Sequence, residues 1–319
     1  MKKVDIISGF LGAGKTTLIK KLLKERLNGE NIVVIENEYG EVGIDGNILK
    51  SDNITIKEIT SGCICCTISS SFKDVLDEVF DTYNPDRIIV EPSGVAKLSE
   101  VVKEIRSEQV KRNIIINMQI AVVDSVNFEN YFDNFGEFFV DQITNAKTII
   151  LSKTQLMRNT DLNQVFKAIR KMNPTCPIIT TNWDNIPASK ILEVGEFRNK
   201  DVLSQVDLIR KPLNVSHLIR KGMKSDSIAS DVFKTWGVET PKVFKKSELR
   251  NILEELGKGN YGNVIRVKGV VNTAASWIQF DYVPGQIEIK DINYDYTGRI
   301  CVIGSELKKE AIKTLFLGE

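Results

Sequence analysis

The run Gly9-Phe10-Leu11-Gly12-Ala13-Gly14-Lys15-Thr16 sets two glycines, a lysine and a hydroxyl at the spacing G-x-x-x-x-G-K-[ST]. Each residue type has a task at that spacing. The N–H groups of a glycine-rich turn and of the helix start behind it converge on one point, where the helix dipole favours an anion. Lys15 adds an ammonium for a β- or γ-phosphate, and the Thr16 hydroxyl can hold Mg²⁺. Gly9, Gly12, Ala13, Gly14, Lys15, Thr16 and Thr17 are therefore the candidate phosphate contacts.

A second group is Gly62-Cys63-Ile64-Cys65-Cys66-Thr67. Three thiols within four residues suit a soft divalent ion such as Zn²⁺, whose tetrahedral site accepts thiolates near 2.3 Å. A helix start close behind them, where the Phe72 stripe begins, would lower their pKa values and favour the thiolate. The spacing alone equally suits a redox pair or a cluster of small buried residues. Cys176 and Cys301 lie in apolar, strand-like surroundings and read as core residues.

Placing a phosphate loop requires a strand before it and a helix after it. Val4–Ser8 reads as the strand, and Leu18, Ile19, Leu22, Leu23 and Leu27 line one face of the helix. Further strands are expected at Ile32–Glu36, Arg87–Glu91, Ile120–Asp124, Thr148–Ser152 and Pro177–Thr181. Between them, helical stripes run through Phe72, Val75, Leu76, Val79, Phe80 and Tyr83, then Leu98, Val101, Val102 and Ile105. A third runs through Leu162, Val165, Phe166, Ile169 and Met172. Apolar strands alternating with amphipathic helices predict an α/β fold, a mostly parallel sheet flanked by helices, with ligands at the carboxyl ends of its strands.

The pattern changes after residue 195. Residues 196–230 are charged and weakly periodic and read as a linker. A helix at Lys246–Leu256, strands at Val264–Val271, Trp277–Val283, Gln286–Ile292 and Arg299–Gly304, and a helix at Glu306–Phe316 predict a smaller α+β domain with an antiparallel sheet. The expected division is 1–195, 196–230 and 231–319.

The 319 residues carry 43 basic against 42 acidic side chains, a balance that argues against nucleic acid or an anionic membrane as partner. No apolar run approaches a membrane span. Met1-Lys2-Lys3 faintly imitates a signal peptide, but Asp5 interrupts the following apolar stretch and the phosphate loop occupies it. A cytoplasmic location is expected, and five cysteines do not make a disulfide framework there.

These segments together resemble the CobW-type family of P-loop GTPases, metal chaperones or metal-insertion factors, over nearly the whole chain. Gly9–Thr17 carries the family's GFLGAGKTT signature and Gly62–Cys66 its cysteine motif. Glu36–Asp45 resembles its first switch segment. Arg87-Ile88-Ile89-Val90-Glu91-Pro92-Ser93-Gly94 is similar to its second acidic strand and switch, where the family more often has Thr after the Glu. Val267–Gly269, Trp277 and Gly298–Gly304 resemble its C-terminal domain.

The resemblance implies GTP and Mg²⁺ as ligands, with metal held at Cys63, Cys65 and Cys66 within reach of the switches. Zn²⁺ or Co²⁺ would be the cargo, Co²⁺ on the strength of one branch only. Lys15 and Glu91 would act in hydrolysis, Glu91 accepting from a Mg²⁺-bound or attacking water. Glu38, Glu41 and Asp45 would supply an oxygen to the metal or position the water, Glu41 for catalysis; the alternative is a solvated acidic loop. A client metalloprotein or cofactor-biosynthesis enzyme is implied, as is a nucleotide- or metal-dependent homodimer.

Two departures stand out. Base recognition in the family uses Asn/Thr-Lys-x-Asp, whereas the corresponding stretch here is Leu151-Ser152-Lys153-Thr154-Gln155. Ser152, Lys153 and Gln155 are the candidate base contacts, but Gln155 offers one amide oxygen in place of two carboxylate oxygens. That loss is worth about 1–3 kcal/mol of guanine preference. The chain also has a single histidine, His217, in the linker, so it lacks a His-rich metal-gathering tract. Three functions remain: a GTPase that delivers metal, a metal-responsive switch without delivery, and a P-loop ATPase or kinase with structural or redox cysteines.

Overall fold

Apolar runs without alternation need cover on both faces, and the first half of the chain provides it. A computed structural model describes residues 1–27, 29–36, 54–58, 71–196 and 234–318. The chain divides into two units, Met1–Arg198 and Asn199–Glu319. In the first, β1 (Lys2–Gly9), β2 (Ile32–Glu36), β3 (Ile54–Glu58), β4 (Arg87–Glu91), β5 (Ile114–Asp124), β6 (Thr148–Ser152) and β7 (Ile178–Ile179) form one sheet in the order β3-β2-β4-β1-β5-β6-β7. Every pairing in it is parallel. All five residues of β2, β4 and β6 are buried.

The helices are α1 (Lys15–Glu25), α2 (Ser71–Tyr83), α3 (Leu98–Arg112), α4 (Phe128–Asn145), α5 (Asn159–Met172) and α6 (Ala188–Gly195). Residues of α2 to α5, among them Leu76, Ile105, Phe139 and Phe166, share one core with Val4, Ile6, Val90 and Val123. By strand alternation the opposite face is left to α1 and α6, which pack on each other. Leu18, Ile19, Leu22 and Leu23 of α1 are fully buried, so Leu22→Ala would cost about 2–5 kcal/mol.

The observed β5 starts six residues before the expected strand, because Ile114–Met118 extends along β1 through a register shift at Val4/Asp5. β7 is shorter than the expected Pro177–Thr181: proline has no N–H to give the ladder, and only Ile178 and Ile179 pair with β6. At the amino edge of the sheet, Arg87 joins Asp5, Glu30 and Glu196. Burial pushes the Asp5 carboxyl up, outweighing the adjacent guanidinium.

In the second unit β8 (Lys234–Thr240), β9 (Val243–Phe244), β10 (Asn263–Thr273), β11 (Trp277–Val283), β12 (Gln286–Ile292) and β13 (Gly298–Ser305) form a sheet ordered β12-β11-β10-β13-β8, with β9 beside β10. It is antiparallel except for β9. β10 alternates between buried and half-exposed residues, as a strand covered on one side should. The cover is α7 (Lys246–Leu256) and α8 (Lys309–Leu317), whose Leu249, Leu253, Ile312 and Phe316 meet Val267, Ile278 and Val302. Among the described residues no helix is long and apolar enough to cross a membrane.

Candidate functional site

β1 runs out at Gly9, and α1 begins six residues later at Lys15. The turn closes with the Ala13 N–H on the Phe10 carbonyl at 3.2 Å. Gly14, at φ 97°, is the N-cap, a left-handed conformation that a side chain would strain. No acidic residue stands in the first turn of α1, so the positive end of its dipole is kept for a ligand. Thr17 and Gly12 are exposed, whereas Ala13 is buried.

Phe10 is pinned from the other side. Its ring lies 4.7 Å from Tyr131, 5.1 Å from Phe135 and 6.2 Å from Phe139, centroid to centroid, all on α4. α4 is kinked at Phe135, whose φ of −133° is not helical. The Tyr131 hydroxyl reaches the Leu11 carbonyl at 3.4 Å.

The Lys15 side chain is buried, with its ammonium 3.5 Å from the Phe10 carbonyl. The Thr16 hydroxyl lies 3.0 and 3.2 Å from the two oxygens of Glu91, which ends β4 and is 7% exposed. Glu36, ending β2, is Glu91's register partner and is likewise buried. Beyond Glu91, Gly94 touches the phosphate loop: a methyl there would stand 2.7 Å from the Leu11 nitrogen. Gln142 of α4 holds this segment by donating to the carbonyls of Gly94 and Ala96 at 3.0 and 2.9 Å.

Oxygen donors gathered at one helix start suit a hard cation, while the N–H groups and dipole of that start suit the phosphates the cation would accompany. The structure adds that the hydroxyls of Ser8, Ser93 and Ser125, all buried at the carboxyl edge, have no hydrogen-bond partner among the described residues. Thr16 and Glu91 thus fit Mg²⁺.

The base segment lies at the end of β6. Ser152 is buried with its hydroxyl on the Val123 carbonyl at 3.3 Å. Lys153, at φ 58°, places its ammonium 2.6 Å from Asp124 Oδ2. Asp124 also accepts from Asn127 Nδ2 at 2.8 Å and from the N–H groups of Val126 and Asn127. Burial would raise the Asp124 carboxyl, but the bonds from Lys153 and Asn127 hold it below its ordinary value. Gln155 is exposed in the 3₁₀ turn Thr154–Leu156.

The structure therefore gathers Gly9, Gly12, Ala13, Gly14, Lys15, Thr16, Thr17 and Glu91 at one edge of the sheet, with Ser152 ending β6 and Lys153 and Gln155 following it. Glu38, Glu41, Asp45, Cys63, Cys65, Cys66 and His217 lie outside the described residues. Among the described residues no group of three or more Cys, His, Asp or Glu is placed to hold a metal. Cys176 and Cys301 are buried, as core residues should be. Two residues of the site were not named as contacts from sequence: Glu36, read only as a strand end and the start of a switch segment, and Asp124, read only as a strand end. A signal existed for both, since each is an acid ending an apolar strand, as Glu91 is.

Comparison with known proteins extends this geometry. Residues 3–180 match the model of the CobW/HypB/UreG nucleotide-binding domain, and residues 233–318 that of the cobalamin synthesis protein CobW C-terminal domain. The zinc chaperone YjiA of Escherichia coli K12 is 27% identical over 334 residues, spanning 99% of this chain and 98% of its own. The zinc chaperone CobW of a Sinorhizobium species is 27% identical over 83% of this chain and 79% of its own length. Zinc-regulated GTPase metalloprotein activator 1 of Schizosaccharomyces pombe is 26% identical over 91% and 77%.

Proposed function

This chain belongs to the CobW/HypB/UreG nucleotide-binding family, and from that membership we propose that it is a GTPase whose hydrolysis governs the binding and delivery of a divalent metal. The observation that carries the reading is the Thr16 hydroxyl held on Glu91 at the start of α1. It joins the phosphate-binding helix to an acid at the sheet's carboxyl edge, where phosphoryl transfer needs both a metal-holding hydroxyl and a water-orienting carboxylate.

The roles follow from position. The turn amides and Lys15 bind the β- and γ-phosphates. Thr16 and Glu91 would hold Mg²⁺, which when bound neutralises charge on the phosphates. Glu91 orients a water for attack on the γ-phosphorus; the bond to the β–γ bridging oxygen breaks, and GDP and phosphate leave. Ser152, Lys153 and Gln155 receive the base. With one neutral amide at Gln155, guanine is preferred weakly.

Cys63, Cys65 and Cys66 bind the cargo as thiolates, and Glu38 or Asp45 adds an oxygen ligand. The names of the relatives support Zn²⁺ over Co²⁺. Delivery to a client metalloprotein or cofactor-biosynthesis enzyme completes the reading.

The test is Mg²⁺-dependent GTP hydrolysis by wild type and Lys15→Ala. Slow turnover by wild type, lost with the ammonium, supports it. A Lys15→Ala variant that hydrolyses GTP at the wild-type rate overturns it.

A further inference from the structure

We propose that Trp183 is the platform on which the nucleoside of the bound nucleotide rests, an assignment that depends on the nucleotide reading above. Trp183 opens the 3₁₀ turn Trp183–Asn185, whose start is capped by the Asn182 side chain accepting from the Asp184 N–H at 3.3 Å. Its indole N–H donates to the Leu151 carbonyl at 3.2 Å, immediately before Ser152 and Lys153. The far edge of the ring lies against the phosphate loop. A methyl on Gly14 would stand 3.2 Å from Trp183 Cη2 and 3.5 Å from Cζ3. One indole therefore spans from the residue preceding the base segment to the last glycine of the phosphate loop.

A nucleotide with its phosphates on that loop and its base at Gln155 crosses the same interval. Its ribose and purine must pass over the indole, which is only half-buried. The ring is fixed by a hydrogen bond at one end and lies against Gly14 at the other, so little side-chain freedom is lost when a purine covers it. Stacking on an aromatic face is tolerant of base identity. Trp183 thus supplies affinity that does not distinguish guanine from adenine, and discrimination is left to the base edge, where Gln155 stands.

Calorimetric titration of the full chain with GDP, ADP and inorganic tripolyphosphate, each with Mg²⁺, tests this on wild type, Trp183→Ala and Trp183→Phe. Trp183→Ala should weaken GDP and ADP alike by about ten- to a hundredfold and leave tripolyphosphate unchanged. Trp183→Phe should keep most of the affinity. Trp183 is also the one tryptophan of the first unit, the others being Trp236 and Trp277. GDP should quench wild-type emission, tripolyphosphate should not, and the quench should vanish in Trp183→Phe.

Unchanged GDP affinity in Trp183→Ala overturns the assignment. So does an equal loss of tripolyphosphate, which would mean that the ring merely buttresses Gly14. Wild type that binds neither nucleotide nor tripolyphosphate removes the nucleotide reading itself, and this assignment with it.

Discussion

The Thr16 hydroxyl sits 3.0 and 3.2 Å from the two carboxylate oxygens of Glu91. The first turn of α1 and the end of β4 are thereby linked side chain to side chain. Glu91→Gln keeps the shape of that link but removes its charge. GTP turnover should fall by about 10²- to 10⁴-fold, while affinity for a non-hydrolysable GTP analogue changes far less. Single-turnover hydrolysis beside equilibrium binding separates the two effects; an unchanged rate would move the water-orienting role elsewhere.

Gln155→Asp should sharpen the choice of base. Two anionic acceptors replace one neutral oxygen at an exposed position after β6, restoring about 1–3 kcal/mol of guanine preference. The GTP-to-ATP affinity ratio should rise by about ten- to a hundredfold. If wild type already excludes ATP strongly and the substitution changes nothing, another residue reads the base.

Cys63, Cys65 and Cys66 should bind one Zn²⁺ more tightly with a GTP analogue than with GDP, and by linkage Zn²⁺ must shift nucleotide affinity by the same factor. Zn²⁺ titration in both nucleotide states, repeated with all three cysteines changed to Ser, decides it. Equal affinity in both states would leave a static site. Binding that survives the triple substitution would exclude the thiols.

Lys153→Ala should destabilise the first unit by roughly 1–3 kcal/mol at pH 7, since it leaves the buried Asp124 carboxylate without its cation. The Asp124 carboxyl is held below its ordinary value of 3.8 in the folded chain. Its contribution is therefore complete above that value and lost as pH falls through the lower, folded one. Thermal melts at pH 7 and at progressively lower pH should show the gap between wild type and variant closing only below about pH 4. A gap that stayed constant into acid would detach Asp124 from the effect.

β2, β4 and β6 were legible to the residue because each is a short apolar run closed by a charged or polar residue. So was α7, whose Leu249, Ile252, Leu253 and Leu256 keep strict helical spacing. β3 was not: its ITIKE stretch is half polar, and its place at the sheet edge comes only from pairing with β2. α4 was not read as a helix although Phe128, Tyr131, Phe135, Phe138 and Phe139 recur at helical spacing, because a run so rich in aromatics with Gly136 inside it suits a strand or loop as well as a helix. The phosphate side of the site is a local motif and could be read directly. Trp183 could not, because its meeting with Gly14 depends on how the last strand of the sheet returns its chain to the first loop.

The grip of Tyr131, Phe135 and Phe139 on Phe10 has a kinetic meaning. A loop wedged into the aromatic core has already lost its freedom when the chain folds, so little ordering is left for phosphate to impose. Capture can then be fast, because the cradle stands before its ligand arrives. Loosening the wedge, as Phe135→Ala would, should turn a prepared cradle into one that each arriving ligand must assemble for itself.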